Sequence, residues 1–231
     1  MTKTIFLLSA LMLIAGFTFQ TGNPLLEEWK TPYQTPPFKS IKNDHFLPAY
    51  QEGMKAEMAE VEAIANNSEK PTFKNTIEAM EQSGRKLDRV SRVFNSLNEA
   101  NTDDEIQNIS KVIDPLMTKH SDDISLNPKL FARIRALYDT KGDLGLNTEE
   151  NTLLENYYKN FVRSGANLSE EDKVKLRKVN EELSNLYVKF RQNHLNQTNA
   201  VALVIDKKED LAGLPDDVVT AAAAMGKAKG M

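Results

Sequence analysis

The chain has 231 residues, with 29 basic and 33 acidic side chains and a net charge of −4. Its 40% apolar and 27% charged residues give the balance of a globular protein, and a pI near 5.5 argues against a protein built to grip phosphate backbones. With no cysteine, disulfides, thiolate metal sites, cysteine nucleophiles and a lipid anchor on cysteine are excluded.

Residues 1–22 read as a signal peptide. Lys3 supplies the positive start, and 5–19 is an almost unbroken apolar run. That run is short for a membrane span, which needs roughly 20 residues, and suits the core of a secretory signal. The alternative is an anchor that stays attached, and no A-x-A pattern between Gly16 and Gly22 fixes a cleavage bond. The expected location is periplasmic or secreted, without a lipid anchor or a stable membrane span. Residues 23–48 hold five of the nine prolines (Pro24, Pro32, Pro36, Pro37, Pro48) and read as an extended lead-in strapped over a surface.

Residues 49–231 read as one all-α domain of many helices, with at most one short strand near 201–205. Tyr50, Met54, Met58, Val61 and Ile64 form the first helical stripe. Asn75 to Glu78 resembles a capping box for a short helix through Ile77 and Met80 that stops at Gly84. Leu87, Val90, Phe94 and Leu97 mark the next helix. Thr102 to Glu105 is a second box, before a helix through Ile106, Ile109, Ile113 and Leu116 that Pro115 is expected to kink. Asn127 with Pro128 starts a helix through Leu130, Phe131, Ile134, Leu137 and Tyr138.

After Gly142 and Gly145, Asn147 starts a helix through Leu153, Leu154, Tyr157 and Phe161, and Ser169 caps the longest segment. There Leu176, Val179, Leu183, Leu186 and Phe190 step by three and four, long enough for the seam of a helical hairpin. Val201, Leu203, Val204 and Ile205 are the β-like cluster, and Pro215 precedes a last, alanine-rich helix.

The chemistry-bearing residues are sparse. His45, His120 and His194 stand far apart, and the string H-E-x-x-H, which would set two imidazoles and a glutamate on one helix face, does not occur. His120 shortly precedes Asp122 and Asp123, which permits a small metal or acid–base cluster or, more simply, an imidazole suited to a helix C-terminus. Ser164 and Gly165 are not a nucleophile elbow, the glycine reading as a C-cap. Neither G-x-x-x-x-G-K nor G-x-G-x-x-G is present. Arg85, Lys86, Arg89 and Arg92 share one helix side; without interleaved aromatics they read as a solvated face rather than a nucleic-acid site. Met54, Met58 and Met80 read as core. Tyr157, Tyr158 and Phe161 read as packing or as the lining of a ligand groove.

Ordered strings point further. Pro37-Phe38, Ile41, His45-Phe46 and Pro48-Ala49 are followed by Pro71-Thr72-Phe73 and Asn75-Thr76-Ile77-Glu78. Then come Pro115-Leu116 with His120, Asp123 and Ile124, and Leu126-Asn127-Pro128 with Leu130-Phe131 and Arg133-Ile134. Phe161 to Ala166 and Leu211-Ala212-Gly213-Leu214-Pro215 complete the set. Together they resemble the thimet oligopeptidase, oligopeptidase A and peptidyl-dipeptidase family of zinc peptidases, most closely its bacterial peptidyl-dipeptidase branch. The resemblance runs from about residue 24 to about residue 226. It implies a mostly helical ellipsoid cut by a deep channel, with zinc on its floor and N-terminal helices forming one wall.

In that family the H-E-x-x-H and a third glutamate ligand lie in the C-terminal half, beyond what this sequence matches. The expectation is therefore a channel-wall domain ending before the catalytic half. It would hold no catalytic, cofactor-binding or metal-ligating residue and would be inactive alone, with His45 carried over only as a structural position. Zinc, short peptides and the missing catalytic half are cofactor, substrate and partner of the implied parent, which would be a monomer. The alternative is a stand-alone helical module that binds peptides or acts as a scaffold without catalysis.

Overall fold

The computed structural model describes residues 22–228 and residue 230, so nearly all of the proposed signal segment lies outside the described residues. Eight helices follow the lead-in: α1 (Phe46–Ala65), α2 (Ala79–Gln82), α3 (Arg85–Ala100), α4 (Asp104–Ser125), α5 (Pro128–Asp139), α6 (Thr148–Arg163), α7 (Glu170–Ala200) and α8 (Asp216–Ala228). The fold is all-α. Residues 201–207 form irregular backbone, and no strand occurs among the described residues. The β-branched side chains there meet no neighbouring strand to complete a ladder. Nor does any described helix have the length and apolarity to cross a membrane.

The chain divides after Glu181 into two compact units. In the first, α1 serves two apolar cores. Its N-terminal half carries Phe46, Ala49 and Tyr50 against Leu87, Val90 and Phe94 of α3 and Ile106 and Ile113 of α4. The rings of Phe46 and Tyr50 meet Phe94 edge-on, with centroids 5.1 and 5.7 Å away. Its C-terminal half carries Val61, Ile64 and Ala65 against Ile77, the α5 stripe Leu130, Ile134 and Leu137, and Leu154 and Phe161 of α6.

The lead-in is anchored by Leu25, which is fully buried in the first of these cores. Trp29 donates its indole N–H to the Pro24 carbonyl at 2.8 Å, and the Arg89 guanidinium lies 5.0 Å from the Trp29 ring centre. Arg89 also donates to the Leu25 carbonyl at 2.9 Å. The solvated basic face expected on α3 is thus only partly solvated: Arg92 pairs with Asp88 at 2.7 Å, whereas Arg89 straps the lead-in down.

Two caps fall beside their expected positions. Thr72, not Asn75, begins the turn of residues Phe73–Glu78: its hydroxyl accepts from the Asn75 N–H, while the Asn75 side chain accepts from the Thr72 N–H. Asp103, not Thr102, caps α4, its carboxylate accepting from the Ile106 N–H at 2.7 Å. Asn127, Asn147 and Ser169 cap α5, α6 and α7 as expected. Helix α4 continues through Pro115 to Ser125.

Gly84 and Gly165 adopt left-handed backbone, with φ of 72° and 94°. Gly165 closes α6 in a Schellman arrangement: its N–H donates to the Val162 carbonyl and the Ala166 N–H to the Phe161 carbonyl, at 3.1 and 3.0 Å. A Cβ there would lie 2.6 Å from Leu176 Cδ2, so glycine also lets the start of α7 come close.

Candidate functional site

The three histidines do not converge. His45 accepts the Lys42 N–H on Nδ1 at 3.1 Å and belongs to the turn that starts α1. His194 lies alongside the Phe190 ring on α7. His120 is buried on α4, and its Nε2 meets Glu57 Oε2 of α1 at 2.7 Å. Its partner is therefore Glu57, 63 residues away, and not the neighbouring aspartates. Among the described residues no group of three or more histidines, aspartates and glutamates is placed to hold a metal, so they do not fit a zinc ion.

Tyr157 donates to Glu81 at 2.6 Å, and burial with that nearby carboxylate holds its phenol above the ordinary tyrosine range. The Tyr158 ring stacks on Tyr138 at 3.8 Å and lies near Phe131 at 5.9 Å, while Phe161 and Phe131 sit at 6.2 Å. These rings pack in the second core, Phe161 buried within it and Tyr157 and Tyr158 against it.

Where chemistry does gather is a cleft of about 540 Å³ in the first unit, between α4, the end of α6 and the start of α7. Thr118, Ser121, Asp122 and Ser125 line it from α4, at the spacing that places side chains on one helix face. The Schellman end of α6 supplies Arg163 and Ser164, and α7 supplies Leu176 and Asn180. Asn180 donates its amide to Asp122 Oδ1 at 2.8 Å. Beside it, Asp123 takes Arg177 on one oxygen and Lys119 on the other, each at 2.6 Å.

The charges differ in how far they are satisfied. Burial raises the Asp122 carboxyl above the usual carboxylate range, opposed by the Asn180 hydrogen bond and the Arg177 charge. The Arg163 side chain makes no hydrogen bond or ion pair with any other described residue, and the hydroxyls of Ser121, Ser125 and Ser164 are equally without one. The cleft is thus dipolar, with an open cation at the end of α6 and a desolvated carboxylate on α4. Sequence reading missed it because Asp122 drew attention as a neighbour of His120; the signal that could have found it is the 118, 121/122, 125 spacing of polar residues.

The expected hairpin seam on α7 also differs. Only Leu176 is half-buried, whereas Val179, Leu183, Leu186 and Phe190 expose 58, 46, 54 and 67% of their surface. That leaves an uncovered apolar stripe.

No family model matches the chain. Curated proteins do. Dipeptidyl carboxypeptidase of Salmonella typhimurium is 40% identical over 209 residues, which is 90% of this chain and 31% of that protein. Its Escherichia coli counterpart is 38% identical over 211 residues, 91% of this chain and 31% of that protein. Oligopeptidase A of Salmonella typhimurium is 26% identical over 207 residues, 90% of this chain and 30% of that protein. Over about nine tenths of its length the chain is thus homologous to part of the dipeptidyl carboxypeptidases and of oligopeptidase A. It spans about 31% of the length of the dipeptidyl carboxypeptidases it matches. Of the family-like strings, Phe161 to Ala166 is the segment that ends α6 and forms one side of the cleft. Leu126-Asn127-Pro128 is the turn and cap between α4 and α5.

Proposed function

We propose that this chain is the helical channel-wall domain of an exported zinc peptidase that cuts short peptides, and that the chain alone does not hydrolyse them. The 40% identity to dipeptidyl carboxypeptidase over 90% of the chain carries this reading. In it, hydrolysis belongs to residues outside the matched third, and the zinc they hold would supply an activated water. The wall limits what reaches that site. It also gives the exposed stripe of α7 a cover, since an apolar face of this kind is buried by further protein. Export rests on the apolar run of residues 5–19 behind Lys3.

A quenched fluorogenic peptide tests the assignment. The purified 231-residue chain is expected to show no cleavage with or without added zinc, and zinc-dependent turnover would overturn it. Cell fractionation tests export: the processed protein is expected outside the cytoplasm, and a full-length cytoplasmic product would refute that part.

A further inference from the structure

We propose that the cleft between α4, α6 and α7 binds a small zwitterion, an amino acid or dipeptide with both ends free, its carboxylate on Arg163 and its ammonium on Asp122. The proposal goes beyond the peptidase reading and stands or falls apart from it, because it concerns binding and needs no turnover.

The argument starts from charge. Arg163 is an open guanidinium at the lip, and such a fork takes a carboxylate in two parallel hydrogen bonds. The other cations nearby are already engaged, with both Arg177 and Lys119 on Asp123. The hydroxyls of Ser121, Ser125 and Ser164 line the same cleft, and each is free to donate to a bound carboxylate.

Asp122 decides what kind of ligand the cleft takes. It is only 8% exposed, and the one hydrogen bond its side chain receives within the cleft comes from Asn180. A bare anion such as phosphate would be drawn by Arg163 but repelled by this carboxylate, and a bare cation would meet the reverse. A molecule carrying both charges satisfies both. Met117 and Leu176 complete the wall with apolar surface for a side chain. The volume of about 540 Å³ lies within the range of roughly 300–1,000 Å³ found for small-molecule sites and is ample for two residues.

Titration calorimetry on the full 231-residue chain tests this with the free dipeptide Ala-Leu, its N-acetyl form, its C-terminal amide and inorganic phosphate. The free dipeptide is expected to bind saturably at one site, and each blocked form at least about tenfold more weakly, the loss of one charge-assisted contact. Phosphate is expected to bind more weakly than the dipeptide. R163Q, at an exposed position, is expected to cost the free dipeptide about tenfold while leaving the binding of the amide unchanged. Absence of saturable binding up to millimolar dipeptide would overturn the proposal, as would blocked forms that bind as well as the free one. Phosphate equal to or tighter than dipeptide would overturn it in favour of a plain anion site. If R163Q unfolds, read by Trp29 fluorescence, the blocked-ligand series on the unaltered chain decides alone.

Discussion

The crossing of α1 and α3 makes a prediction whose sign comes from two opposed terms. Gly53 is buried in the middle of α1, and a Cβ built there would lie 3.0 Å from Leu87 Cα and 3.2 Å from both Leu87 Cβ and Leu87 Cδ1. In Gly53→Ala the helix gains about 1 kcal/mol from intrinsic propensity. Against this stands overpacking, which costs about 1–3 kcal/mol. The upper part of that range applies, because two of the three crowded atoms belong to the backbone and the first side-chain carbon, which no rotamer change can move. A net loss of about 1–2 kcal/mol is expected. Trp29 is the sole tryptophan and packs against this same core, so its fluorescence reports the transition directly. At a urea slope of about 2 kcal/mol per molar, the midpoint is expected to fall by about 0.5–1 M with the slope unchanged. A midpoint that rises would refute the close approach of the two helices.

Three further outcomes are expected. Arg133→Met removes donors to the carbonyls of Asn67 and Glu69 and to Asn75 Oδ1, at 2.8, 3.0 and 2.9 Å, and should destabilise the chain by about 3 kcal/mol. Hydrogen exchange across residues 66–75 should quicken, and unaltered exchange would contradict the tie. Tyr50 has its phenol pushed up to about 12 by burial, with the Asp114 charge adding to the rise and Ser91 opposing it. Its folded value lies above the unfolded value of about 10, so its contribution is complete below pH 10 and is lost as pH climbs through 12. Tyr50→Phe should therefore flatten the alkaline fall of stability over that window, and an unchanged curve would refute it. Leu183→Glu and Phe190→Glu, on the exposed stripe of α7, should shift the urea midpoint by less than the equivalent of about 0.5 kcal/mol. They should also lower binding of an apolar dye, and a large destabilisation would mean that the stripe is already covered.

Helical periodicity made most elements legible, because a stripe recurring every three or four residues buries one face wherever the helix lies. Caps made of one side chain and an N–H two or three residues on were equally readable at Asn127, Asn147 and Ser169. The misplaced caps have a local cause. Thr102, Asp103 and Asp104 are all cap-competent, and Thr72 and Asn75 answer each other within one turn, so composition does not choose among them. Pairings across the fold left no local trace. Glu57 lies 63 residues before His120, and Arg89 reaches a carbonyl 64 residues earlier. The cleft was hidden for the same reason: Asp122 and Asn180 meet across 58 residues. Family-like strings marked its Phe161 to Ala166 edge without indicating what that edge faces.

Two surfaces of opposite kind remain, and they make different demands. The cleft is assembled within the first unit: α4 supplies its acid, the glycine-closed end of α6 its open cation, and α7 the amide that fixes the acid. Its described lining comes from these three elements, so the proposed binding can be tested on this chain. The stripe of α7 is the reverse. A Leu or Phe side chain left in water forgoes about 1.5–3 kcal/mol of burial, and Leu183, Leu186 and Phe190 each expose close to half or more of their surface. Among the described residues this heptad spacing stays uncovered. The two surfaces can therefore be separated by experiment: Leu183→Glu and Phe190→Glu should lower binding of an apolar dye while sparing dipeptide binding, and R163Q should do the opposite.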